Sequence, residues 1–191
     1  MTEFSFEKDL ENAVRYLKEG GLILYPTDTV WGIGCDATNE EAVKKIYELK
    51  KREDSKSMLV LAGSKDVIEN IVGAIPPQAL TLMDSAESPL TIIYQNAKNV
   101  APNLRAEDGS LGIRLTKESF SSQLCRRFGK PVVSTSANIS GQKTPTLFSE
   151  ISDQIKDGVD YIVNYRREDS TSASPSNIIK FSPDGEVIII R

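Results

Sequence analysis

Five short segments carry residue types able to hold an anion or an amino acid. The first is Tyr25-Pro26-Thr27-Asp28-Thr29-Val30-Trp31-Gly32, where two threonine hydroxyls flank a carboxylate just after a proline. Asp and Thr also make turns for purely local reasons, so this segment alone decides nothing. The second is Leu49 to Lys56, LKKREDSK. In an extended run Lys50 and Arg52 project to one side and could converge on one anion while Lys51 faces water. The plainer alternative is a solvated charge run in which Glu53 and Asp54 neutralise their neighbours. In the third segment, Leu111 to Leu115, strand alternation puts Leu111, Ile113 and Leu115 on one face and Arg114 on the other, beside Gly112. Arg114 is then either an exposed charge or a planar guanidinium clamping a carboxylate or phosphate in bidentate fashion. The fourth, Pro131 to Gly141, lines up Ser134, Ser136 and Asn138 on one side if the chain stays extended, presenting hydroxyl and amide groups together. The fifth is Ser174-Pro175-Ser176-Asn177. Ser, Asn and Gly form loops unaided, and both of these segments keep that alternative.

What the chain lacks narrows the chemistry. It has no histidine, which removes Ser-His-Asp triads, Cys-His pairs and histidine metal ligands. Its two cysteines, Cys35 and Cys125, lie far apart and outside any CxxC, and read as buried small hydrophobes in a reducing compartment. The net charge of -4 argues against a dedicated, tightly bound nucleic-acid partner, because affinity there comes mainly from neutralised phosphates. A local basic cluster could still hold a small anion.

The elements that must position these segments follow from periodicity. In 191 residues with 39% hydrophobic and 26% charged side chains, one soluble globular domain spanning 1-191 is expected. Leu10, Ala13, Val14 and Leu17 repeat with helical spacing before Gly20-Gly21. Leu22 to Tyr25 reads as a strand ended by Pro26. Thr38 and Glu41 form a capping-box pattern ahead of a helix through Ala42, Val43, Ile46 and Leu49. Strand-like runs follow at Met58 to Leu61, Leu90 to Tyr94, Leu111 to Leu115, Pro131 to Ser134, Tyr161 to Val163, Ile178 to Phe181 and Val187 to Ile190. Helical periodicity fills several gaps, at Val67 to Val72 and at Phe120 to Phe128. The alternation predicts an α/β class, a twisted mixed or largely parallel sheet with helices packed on both faces. Ligands of such sheets sit at strand ends, where the five segments fall. The polar tract Arg166 to Asn177 is a candidate lid. No apolar run approaches the length of a membrane span and no secretory signal is visible, so a cytoplasmic location and no membrane partner are expected.

Taken in order, YPTDTVWGIG at Tyr25 to Gly34, the KxRxxxK element at Lys50, Arg52 and Lys56, SPLTII at Ser88 to Ile93, LGIRL at Leu111 to Leu115, STSANISG at Ser134 to Gly141 and SPSNII at Ser174 to Ile179 resemble the YrdC-like threonylcarbamoyl-AMP synthase family in its short, single-domain form. The resemblance runs from Leu22 to Arg191. It implies a YrdC-like fold and a nucleotidyltransferase joining L-threonine, bicarbonate or CO2, and ATP, with Mg2+ accompanying the ATP. Pyrophosphate is released, and a downstream tRNA threonylcarbamoyl transferase uses the threonylcarbamoyl-adenylate to modify tRNA. A weak tRNA contact is also implied. Carried over residue by residue, Arg52, Lys56, Ser110, Ser136, Thr144 and Arg191 contact ATP. Lys50, Arg52, Ser136 and Asn138 form the catalytic basic and SxN elements, while Thr29, Arg114, Ser134 and Ser176 hold threonine. No protein-built metal site is implied.

The chain departs from the family pattern at several positions. Trp31 stands where a tyrosine is usual, Glu53 where a proline is, Leu61 where many members have histidine, Ala173 and Ser174 where glycines are, and Asn177 where a threonine is. These changes bear on substrate identity more than on nucleotide binding. Two further readings stay open from sequence: an RNA-binding protein of the same fold, recognising tRNA or double-stranded RNA, and a paralogue that adenylates a different substrate.

Overall fold

The computed structural model describes residues 5–51, 58–170, 175–182 and 184–191. Arg52 and Lys56, and the middle of the 166–177 tract, lie outside the described residues. The first helix, α1 (Phe6–Lys18), begins where the Ser5 hydroxyl accepts the Lys8 N–H, and it buries Leu10, Ala13 and Leu17 at the expected spacing. It also buries Asp9, whose carboxylate accepts from the Asn164 and Tyr165 backbone N–H groups, the Asn164 amide and the Tyr161 hydroxyl. A buried carboxylate is tolerated because each oxygen is multiply hydrogen-bonded. In consequence the start of the sequence fixes the segment that leads into Arg166.

Strands β1 (Ile23–Tyr25) and β2 (Gly32–Gly34) pair antiparallel across the Pro26–Trp31 turn. The second strand was not foreseen, since three residues of Gly-Ile-Gly carry no alternation signal. Gly34 is needed there because a Cβ would lie 2.7 Å from both Tyr25 Cε1 and the Val133 carbonyl oxygen. The Tyr25 ring lies across that gap and its hydroxyl donates to the Val133 carbonyl. Helix α2 (Glu40–Lys50) is capped by Asn39, whose side chain accepts the Ala42 N–H, rather than by Thr38. The Thr38 hydroxyl instead donates to Asp36, so the capping box read from the sequence is one residue out of place.

The remaining elements are β3 (Leu59–Ala62), α3 (Lys65–Val72), α4 (Pro77–Ser85), β4 (Leu90–Tyr94), β5 (Leu111–Leu115), α5 (Ser119–Phe128), β6 (Val132–Ser136), α6 (Asp153–Asp157), β7 (Tyr161–Ile162), β8 (Asn177–Phe181) and β9 (Val187–Ile189). The strands form one sheet in the order β7-β1-β2-β6-β3-β5-β4-β8-β9. Pairs β1–β7, β3–β5 and β4–β8 are parallel and the others antiparallel, so the mixed form of the expected sheet is the one adopted. Helices α1 and α5 pack together, with the Phe6 and Phe120 rings edge to face at 5.6 Å.

Register decides which side chains share the site face. Leu59 pairs with Ser134, Leu61 with Arg114, Ile93 with Gly112 and Gly32 with Ser136, so all eight sit on one face. Among the described residues no helix is long and apolar enough to cross a membrane. Cys35 and Cys125 are both buried and free, and burial pushes both thiols well up, so neither ionises readily.

Candidate active site

A cavity of about 500 Å3 opens on that face, large enough for a nucleotide-sized ligand portion together with a small amino acid. Thr29, Arg114, Ser134, Ser136, Thr144, Ser176 and Arg191 line it together. They come from the β1–β2 turn, β5, β6, the segment after β6, the approach to β8, and the chain position following β9. Seven residues spread over 163 positions of sequence thus face one space, which local turn formation does not explain.

Arg114 is its centre. Only 3% of it is exposed, which removes the exposed-charge alternative. Its Nε donates to the Thr91 hydroxyl at 3.1 Å, Nη1 to Asp28 at 2.5 Å and to Thr29 Oγ1 at 3.4 Å, and Nη2 to Ser176 Oγ at 3.0 Å. A guanidinium carries five N–H donors, so among the described residues one Nη2 N–H is left. Ser176 Oγ in turn accepts from Arg114, Arg191 (3.3 Å) and Thr91 (3.4 Å). With its lone pairs engaged, its own O–H is the part left to donate. The free Nη2 N–H and the Ser176 O–H therefore form a pair of donors beside a fixed positive charge, an arrangement that suits a carboxylate or phosphate.

The Thr27–Val30 turn is held internally. Thr27, 3% exposed, donates its hydroxyl to the Val30 carbonyl at 2.7 Å, accepts the Thr29 N–H at 3.1 Å, and lies 3.2 Å from Thr29 Oγ1. Across β2, a Cβ on Gly32 would lie 3.3 Å from Ser134 Oγ and 3.3 Å from Thr27 Cγ2. The missing side chain is what leaves the Ser134 hydroxyl open to the cavity.

Other residues singled out from sequence sit differently. Lys50 is the last residue of α2, not the start of an extended run, and is 1% exposed. Its Nζ donates to the carbonyls of Ser136 and Asn138, and its own carbonyl accepts the Ser140 N–H. The Asn138 amide donates to the Ile139 and Gln142 carbonyls, leaving Oδ1 buried without a partner among the described residues. Asn138 lies past the end of β6, so the one-sided alternation of Ser134 and Ser136 stops before reaching it. Ser110 precedes β5 on the site face but is not part of the cavity wall. Hydrogen bonds from its hydroxyl and its backbone hold the Asp108 carboxyl below the usual range. The Trp31 ring, 6% exposed, packs at 4.8 Å on Phe148. Leu61 is fully buried next to Arg114.

Sequence reasoning marked Thr27 and Asp28 only as members of the first polar segment, without a partner, and gave no role to Thr91 or Thr146, or to the apolar wall of Val30, Met58, Leu59, Pro175 and Ile178. Thr91 had a signal, a hydroxyl in an otherwise apolar strand; the wall had none, because nothing local distinguishes those apolar residues from core.

A family model described as "Telomere recombination", covering Sua5, YciO and YrdC proteins, matches residues 15–191. The chain belongs to the Sua5/YciO/YrdC family. Among the relatives of this Sua5/YciO/YrdC chain, a protein named threonylcarbamoyl-AMP synthase from Pseudoalteromonas translucida is 31% identical over 186 residues, 96% of this chain and 98% of that protein. One of the same name from Chromohalobacter salexigens is 36% identical over 134 residues, 70% of this chain and 72% of that one. The fold matches P. abyssi Sua5 complexed with L-threonine (TM-score 0.83, 24% identity), covering 99% of this chain and 55% of the Sua5 chain. It also matches E. coli YciO (TM-score 0.81, 22% identity), covering 99% of this chain and 90% of that one. The chain thus spans little more than half the length of Sua5 and most of YciO.

Proposed function

We propose that this protein, working as one YrdC-like domain over 1-191, is a threonylcarbamoyl-AMP synthase: a nucleotidyltransferase that forms threonylcarbamoyl-adenylate and pyrophosphate from L-threonine, bicarbonate or CO2, and ATP. A relative of that name is matched over 98% of its own length, and another over 72%. The observation that carries the reading is the convergence of Thr29, Arg114, Ser134 and Ser176 with Ser136, Thr144 and Arg191 on one cavity.

The chemistry asks little of a general base. The threonine nitrogen, once carboxylated, presents its new carboxylate as nucleophile. That oxygen attacks the α-phosphorus of ATP, the bond to the β-phosphate oxygen breaks, and pyrophosphate leaves with the electron pair. The protein must align the two reactants and stabilise charge on the phosphoryl oxygens, which fixed cations and donors accomplish without histidine. In this reading the free Nη2 N–H of Arg114 and the Ser176 hydroxyl take the threonine α-carboxylate, Thr29 and Ser134 take its amine and hydroxyl, and the wall of Met58, Leu59 and Ile178 meets its methyl. Ser136, Thr144 and Arg191 contact ATP together with Ser110, Arg52 and Lys56. Lys50 and Asn138 hold the end of β6 in place.

Mg2+ enters as part of the MgATP substrate and is held by phosphate oxygens. The cavity supplies hydroxyls and guanidiniums, and no group of three or more carboxylate or thiol side chains able to hold a metal ion occurs among the described residues. Cytoplasmic location, use of the product by a tRNA threonylcarbamoyl transferase and a weak tRNA contact belong to the same proposal.

The test is pyrophosphate release with threonine and bicarbonate omitted in turn. Turnover requiring both is expected. Release that persists without threonine and rises with another amino acid would assign the cavity to a different substrate, and a salt-steep affinity for tRNA without any turnover would make it an RNA-binding protein.

A further inference from the structure

Arg166 opens the polar tract read from the sequence as a candidate lid and belongs to none of the family motifs, yet it is bonded to the turn that carries Thr29. Its Nη1 donates to the Thr27 carbonyl at 3.1 Å. The same side chain pairs with Asp169 at 2.6 Å and with Glu118 at 3.5 Å. Glu118 is itself fixed, because its other oxygen accepts the Ser121 N–H at 2.7 Å and the Ser121 hydroxyl at 2.8 Å at the start of α5. Two carboxylates on separate segments thus aim one guanidinium at a single backbone carbonyl. Arg166 lines a small recess with Pro26, Thr27, Thr29, Val30 and Trp31.

Its backbone is held at φ +66°, the left-handed region that costs a non-glycine residue energy and persists where surroundings over-determine it. The surroundings are on hand: Asp9 accepts from the backbone N–H groups of the two preceding residues, Asn164 and Tyr165. The strained position places the side chain on the Thr27 carbonyl. From there the coupling is short, through the Thr27 hydroxyl to Thr29 and, one residue along, through Asp28 to Arg114.

We propose that Arg166 is a positioning residue for the amino-acid half of the cavity, holding the Thr27–Thr29 turn so that the Thr29 hydroxyl and the Arg114 guanidinium keep the spacing an α-amino acid requires. This rests on the proposed function, since it assigns the specificity of that same site. The residues proposed to contact ATP from the cavity wall, Ser136, Thr144 and Arg191, make no hydrogen bond or ion pair with Arg166 among the described residues.

Arg166→Gly separates this role from a structural one. Glycine accepts φ +66° without strain, so the backbone keeps its course while the contact to Thr27 is lost. The expected result is a threonine KM raised about tenfold, the worth of one charge-assisted hydrogen bond. The ATP KM and kcat should stay within about twofold, and Arg166→Lys, whose ammonium can still donate to the Thr27 carbonyl, should recover most of the loss. A threonine KM that does not move in Arg166→Gly, or an ATP KM that rises equally, overturns the proposal while leaving the proposed function standing. Wild-type turnover indifferent to threonine overturns both.

Discussion

Asp28 and Arg114 meet at 2.5 Å across the boundary between two cavities, Arg114 lining the larger and Asp28 a second one of about 270 Å3. Their side chains are 13% and 4% exposed, so the pair is shielded from solvent. Removing one charge leaves the other buried and uncompensated, which generally costs about 3–5 kcal/mol. Asp28→Asn keeps an acceptor oxygen and should fall at the low end, a loss of about 3 kcal/mol in urea denaturation. Because a buried pair is poorly screened, the loss should be the same at low and high salt. A deficit that shrinks as NaCl is added would show the pair to be solvent-exposed in solution.

The second prediction concerns Gly32, whose absent Cβ leaves 3.3 Å to Ser134 Oγ and to Thr27 Cγ2. Gly32→Ala forces one of them to move by a few tenths of an ångström. Threonine KM should rise about tenfold, since small misplacements of positioning groups are costly. The melting temperature should drop only slightly, because the strand stays paired. Unchanged threonine saturation would mean that Ser134 does not bind the amino acid.

Much of this architecture was legible from residues alone, for reasons that can be named. Arg114 was found because Leu111, Ile113 and Leu115 alternate with it, and a period of two fixes which face a side chain takes. Ser134 and Ser136 followed from the same rule on β6, and α1 from the 3.6-residue spacing of its apolar face. The rule fails where the chain leaves regular structure. Lys50 was read as extended although it closes a helical turn, and Asn138 was aligned with Ser136 although the chain bends one residue after the strand. The partners of Asp28, Thr91 and Arg166 were not legible because they lie across 86, 23 and 139 positions of sequence, which no local pattern encodes. The family motifs marked where the site lies, but register between β3 and β5 was needed to put Leu61 beside Arg114.

Tyr94, 6% exposed, carries a hydroxyl without a partner among the described residues, and burial pushes its phenol up to about 12. The native protein then keeps a proton that the unfolded chain, titrating near pH 10, has released. Stability from this group is complete below pH 10 and lost as pH rises through 12. Tyr94→Phe removes an unsatisfied buried hydroxyl and should be neutral or stabilising by up to about 1 kcal/mol at neutral pH. It should also flatten the decline in urea midpoint between pH 10 and 12. A steeper decline in the variant would reverse the assignment.

Lys50 tests whether a motif lysine acts on phosphate or on the backbone. Its ammonium donates to the Ser136 and Asn138 carbonyls at the end of β6, and its carbonyl accepts the Ser140 N–H, so it fastens the segment carrying Ser136 to α2. Hydrogen bonds to a charged group are worth about 1.5–3 kcal/mol. Lys50→Met, similar in length but unable to donate, should therefore lower stability by about 2 kcal/mol and raise the ATP KM in step, as Ser136 loses its support. If the ammonium acted on the triphosphate directly, pyrophosphate release would collapse while the urea midpoint held. Measuring both on one preparation separates the two, and the burial of Lys50 at 1% exposure favours the coupled loss.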